Sequence, residues 1–128
     1  MNQQAATNAY KQVDIGAAVA AASPQQLVSM LMAGSLKRLM EAKGAIDRGD
    51  AESRGTAISK TISIIGELQG SLRDVEKNEV ARNLDRLYDY MVQTLVEANA
   101  ESSEAKIDEV AQLMMEIKSG WDGLEVQA

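Results

Sequence analysis

The chain has 128 residues, 45% of them hydrophobic and 25% charged, with 13 Lys and Arg against 19 Asp and Glu for a net charge of −6. It contains no Cys, no His and no Phe, one Pro and one Trp. Those absences exclude disulfides, thiolate nucleophiles, Ser-His-Asp relays and His-ligated metals, and the length fits one domain.

Residues 1–22 carry no strong period and are rich in Asn, Gln, Thr and Ala. They are expected to form a mobile N-terminal arm, ahead of a domain spanning 23–124. Ile15–Ala22 faintly resembles a signal peptide, but Asp14 precedes it and Ala is a weak hydrophobic-region residue, so a cytoplasmic protein is expected. Ser23-Pro24-Gln25-Gln26 marks a helix start. Ser23 is placed to cap, Pro24 lacks only a donor that would be orphaned anyway, and Gln26 completes a capping box. This first helix runs to about Arg48, with Gly49 suited to a left-handed end. Arg48-Gly49-Asp50 spells an adhesion tripeptide, yet reads better as last turn, stop and next cap.

Asp50 opens a second helix that reaches Leu72 or Arg73, with Ile58, Ile62, Ile65, Leu68 and Leu72 at helical spacing. Asp74–Asn78 is a polar connection. The third helix carries Val80, Leu84, Leu87, Met91, Leu95 and Ala98 on one face. Asn99–Ser103 turns the chain, and Ser102 or Ser103 caps a fourth helix with the stripe Ile107, Val110, Met114, Ile117 and Trp121. Gly120 and Gly123 loosen its end. Residues 97–128 hold eight acidic and two basic side chains, whereas 1–96 hold eleven of each. No basic patch is available for nucleic acid. No segment alternates with a strand period. Four helices with short connections predict an all-α, antiparallel up-down four-helix bundle with an N-terminal arm.

The first helix exceeds the apolar quota of a bundle helix, about three positions per heptad. Leu27, Met30, Leu31 and Gly34 define one side, and Val28, Met32, Leu36, Leu39 and Met40 continue round the other. Two readings stand: a central helix wrapped by the arm, or a groove that receives a partner's apolar segment. The seven Met of a Phe-free chain suit an adaptable surface.

The residues also resemble a known family, the FliS chaperones of flagellin export, from about Tyr10 to Trp121. The matching pieces are Tyr10-Lys11-Gln12-Val13, Ala22-Ser23-Pro24, Met30-Leu31, Lys60 with Ile62-Ser63-Ile64-Ile65, and Glu67-Leu68. The most specific is Asn83-Leu84-Asp85-Arg86-Leu87-Tyr88-Asp89-Tyr90-Met91. Where the family often reads Met-Leu-Tyr-Asp-Gly, this chain has Met30-Leu31-Met32-Ala33-Gly34, without the aromatic ring and the carboxylate. The resemblance implies a bundle that binds the disordered C-terminal segment of flagellin and prevents its premature polymerisation. It also implies delivery to the export-gate membrane protein FlhA, with no cofactor, no metal and no enzymatic activity. Met32, Leu36, Ile64 and Leu68 are candidates for the apolar groove. Asn83, Tyr88 and Tyr90 are candidates within the specific motif, and Tyr10 and Val13 for arm or gate docking. A generic helical adaptor or a chaperone for another secreted protein is the alternative, and a groove filled by a neighbour's arm would give a homodimer.

Overall fold

The structure is a computed structural model, described here for residues 22–127, with side chains to Leu124. Tyr10, Val13 and the expected arm lie outside the described residues. Four helices follow one another: α1 (Pro24–Arg48), α2 (Ala51–Gly70), α3 (Glu79–Glu101) and α4 (Glu104–Gln127). Among the described residues there is no strand.

Local chemistry sets the boundaries. The Ser23 hydroxyl accepts from the Gln26 N–H at 3.1 Å, and the Gln26 side-chain oxygen accepts from the Ser23 N–H at 2.8 Å. This reciprocal box satisfies two donors that the helix start leaves orphaned. Gly49 ends α1 at φ 69°, where a Cβ would be strained. Asp50 then caps α2 by accepting from the Ser53 N–H and hydroxyl. Those two donors hold its carboxyl below the usual 3.8. Asn78 caps α3 by accepting from the Ala81 N–H, and the Ser103 hydroxyl accepts from the Lys106 N–H at the start of α4.

Two predicted boundaries move. The second helix ends at Gly70, so Leu72 and Arg73 belong to the connection, which turns through Asp74 at φ 55°. Asp tolerates this left-handed backbone better than most residues. The third helix continues through Asn99 to Glu101, and Ser102 at φ 52° makes the turn.

Each helix packs on its sequence neighbour, and α1 closes the ring against α4. Polar pairs between helix ends establish the antiparallel sense. The Arg54 guanidinium near the start of α2 donates to Asn99 and Ser102 at the end of α3. The Gln69 amide at the end of α2 donates to Asp85 and Asp89 near the start of α3. The core is Met32, Leu39, Ile58, Ile65, Leu68, Met91, Leu95, Ile107, Val110 and Met114, all buried. The buried hydroxyls of Ser35 and Thr61 donate to Met32 and Ala57 carbonyls of their own helices. No other element is needed to satisfy them. Among the described residues, no helix is long and apolar enough to cross a membrane.

The seam between α1 and α4 keeps one register along its length. The Ser29 hydroxyl donates to Asp122 at 2.8 Å, and Lys43 pairs with Asp108 at 2.7 Å. Stepping inward from both pairs at helical spacing sets Leu36 opposite Met115 and Met40 opposite Ala111. Stepping outward sets Asp47 opposite Glu104.

Candidate functional site

Apolar stripes on four antiparallel helices converge at the ends of the bundle, and among the described residues one end opens into an apolar groove. There the start of α1, the end of α2, the start of α3 and the end of α4 enclose a groove of about 500 Å³. Val28 and Met32 come from α1, Leu68 from α2, Leu84 and Tyr88 from α3, and Ile117 and Trp121 from α4. The α2–α3 connection adds Ser71, Leu72 and Arg73 as a rim. Val80 and Leu124 stand at the mouth, 68% and 60% exposed.

Several contacts fix this shape. The Trp121 indole N–H donates to the Gln25 carbonyl at 2.9 Å, tying the end of α4 to the first turn of α1. One turn along, Asp122 accepts from Ser29 and Lys118. The Lys118 ammonium and the Ser29 hydroxyl together hold the Asp122 carboxyl below the usual 3.8. On the opposite wall the Gln69 amide clamps α2 to α3. The groove is therefore braced by polar bonds outside it while its lining stays oily. Among the described residues, Arg73 and Glu116 are the only charged ones in the lining. Among the described residues, no group of three or more His, Cys, Asp or Glu could hold a metal ion.

The sequence-predicted residues divide between this groove and other faces. Met32, Leu68 and Tyr88 line it from below, each nearly sealed from solvent. Leu36 lies on the α1–α4 seam, a different face. Ile64 lies between α1 and α2, where a Cβ on Gly34 would meet its Cδ1 at 3.8 Å. It borders a separate shallow depression with Arg38, Lys60 and Ser63. Asn83 is exposed. Tyr90 is 48% exposed, and its hydroxyl donates to Glu109 across the α3–α4 seam at 2.5 Å. That carboxylate pushes the Tyr90 hydroxyl above its usual 10.0.

Sequence reasoning treated Leu72, Val80, Leu84, Ile117 and Trp121 as core stripe. Val80 is a correction, because in the first turn of α3 it is 68% exposed, with no described helix over it. The others are half-buried against the core and line the groove. The available signal was positional: each sits at the terminal turn of its stripe, and all four ends meet at one pole. Helix one is not sealed by the described residues, with Leu27 36% and Met40 51% exposed.

Comparison with known proteins shows the family of the chain. The profile of the family described as flagellar protein FliS matches residues 6–128. The chain is 47% identical over 115 residues to the flagellar secretion chaperone FliSB of Pseudomonas aeruginosa, covering 90% of this chain and 91% of that one. It is 38% identical over 121 residues to flagellar secretion chaperone FliS of Salmonella typhimurium, covering 94% and 90%. Against flagellar secretion chaperone FliS of Bacillus subtilis the identity is 31% over 113 residues, covering 88% and 80%. With matches spanning nearly its whole length, the chain belongs to the FliS family of flagellar proteins.

Proposed function

We propose that this chain is a flagellar export chaperone, not an enzyme, and that its end groove receives the disordered C-terminal segment of flagellin. The bound segment becomes helical and cannot polymerise in the cytoplasm. The loaded complex is then passed to the export-gate protein FlhA. The observation that carries the reading is the open apolar pole: about 500 Å³ lined by all four helices and bordered by exposed Val80 and Leu124. A filament subunit's terminal segment is apolar at helical spacing, and a groove of this kind shields such a face. Covering a Leu or Val fully contributes about 1.5–3 kcal/mol, while ordering the incoming segment costs about 2–5 kcal/mol. Several side chains must therefore be covered together. The groove presents enough of them.

Trp121 supplies the test, since the sole tryptophan stands in the groove wall. Titration with a synthetic flagellin C-terminal peptide is expected to shift its emission to the blue as water leaves the indole. Leu68 is too buried to serve as a probe, because a carboxylate there would unfold the bundle. Val80→Glu with Leu124→Glu is the better pair: both sites are exposed, so helicity and Tm should hold while peptide affinity falls at least about a hundredfold. Wild-type affinity in that double variant would remove the groove as the site.

A further inference from the structure

Tyr88 and Tyr90 stand two residues apart in the most specific motif, yet their hydroxyls differ in one respect. Tyr90 donates to Glu109. Tyr88 is 2% exposed and lines the groove. Burial alone pushes its hydroxyl above the usual 10.0, with no hydrogen bond and no charge contributing. Its hydroxyl is not sealed in the core either. Among the described residues, the one fully enclosed side-chain oxygen without a partner belongs to Glu104, on α4 at the opposite pole. The Tyr88 oxygen has no hydrogen-bond partner among the described residues, and the groove is the space its ring borders.

The remaining polar groups of the lining are already provided for. The Ser71 hydroxyl donates to the Leu68 carbonyl at 2.7 Å. Arg73 and Glu116 are exposed and stay hydrated. Tyr88 is thus a hydrogen-bonding group set in an apolar floor, with no partner among the described residues. An occupant with a uniformly oily face would leave the hydroxyl unpaired, which carries a full desolvation penalty. An occupant with an oxygen at the right position would accept its bond. Sites built to hydrogen-bond one group discriminate far better than oily pockets do.

We propose that Tyr88 sets the register and specificity of the docked segment, its hydroxyl donating to the oxygen of an Asn, Gln, Ser or Thr side chain standing among the apolar positions of the partner helix. This rests on reading the groove as the flagellin site. Within a docked helix the backbone carbonyls are already bonded, apart from the last turn, so a side chain is the group that can answer.

The test compares wild type with Tyr88→Phe, which keeps the ring and removes only the hydroxyl. Both are titrated with the synthetic flagellin C-terminal peptide, then with peptides in which each Asn, Gln, Ser and Thr is replaced singly by Ala. Tyr88→Phe is expected to bind the parent peptide about tenfold more weakly. One peptide position should cost a similar factor against wild type and nothing against Tyr88→Phe, the signature of a shared bond. The thermal midpoint of the free variant should stay close to wild type, since the hydroxyl makes no bond to a described residue that the substitution would remove. Equal, tight binding by both proteins with no coupled position would overturn the role of Tyr88 and leave the groove reading intact. Absence of binding to either protein would overturn both.

Discussion

Glu104 carries the one buried side-chain oxygen without a hydrogen-bond partner among the described residues. Across the seam it faces the Asp47 carboxylate, which has no proton to offer when both groups are ionised. The facing carboxylate first, and burial second, raise the Glu104 carboxyl above its usual 4.5. A group with a raised folded pKa adds stability that is fully present below its unfolded value and is lost as pH rises through the folded one. The pair therefore supports the fold in mild acid, where Glu104 can donate to Asp47, and opposes it at neutral pH. Glu104→Gln supplies a permanent N–H donor. Thermal melts from pH 4 to pH 7 should show this variant above wild type at neutral pH, with the gap closing as pH falls toward 4.5. Asp50 and Asp122 act with the opposite sign, since their lowered carboxyls lose stabilisation as pH falls. The difference between variant and wild type, not the wild-type profile, isolates Glu104.

At the scale of the element, the helix ends were the most legible part of the chain. The Ser23–Gln26 box, the Gly49 stop and the Asp50 cap all form as their residue types require. Gly49→Ala tests how much one such stop carries. Its φ of 69° is open to glycine and strained for alanine, and the substitution should cost about 1–2 kcal/mol in denaturant unfolding without altering the helix count. The register of the α1–α4 seam was not legible in this way. Ser29, Leu36, Met40 and Lys43 recur at helical spacing, as do Asp108, Ala111, Met115 and Asp122. Spacing alone does not say which meets which, because sliding one helix by a turn preserves both patterns. The Ser29–Asp122 and Lys43–Asp108 pairs fix the alignment.

At the scale of the molecule, an open apolar pole makes stability depend on its occupant. A peptide that binds the folded bundle alone, at about a hundred times its dissociation constant, should raise unfolding free energy by about 2.7 kcal/mol. Chemical denaturation with and without a flagellin C-terminal peptide checks this, and an unchanged midpoint would speak against folded-state binding. In the same assay Val80→Glu with Leu124→Glu should abolish the gain while leaving the free protein's midpoint in place.

The sequence by itself determined four helices, their caps, their apolar stripes and the family to which they belong, because caps and periodicity are local and each is written in a few neighbouring residues. Only the tertiary structure decided that Met32, Leu68 and Tyr88 share one groove while Leu36 and Ile64 face elsewhere. The physical reason is that a stripe states which residues point inward, but not whether another helix reaches far enough to cover them. Where α2 stops at Gly70 and α3 begins at Glu79, the last turns of the stripes are only partly covered by the described residues, and surface that reads as core lines a groove.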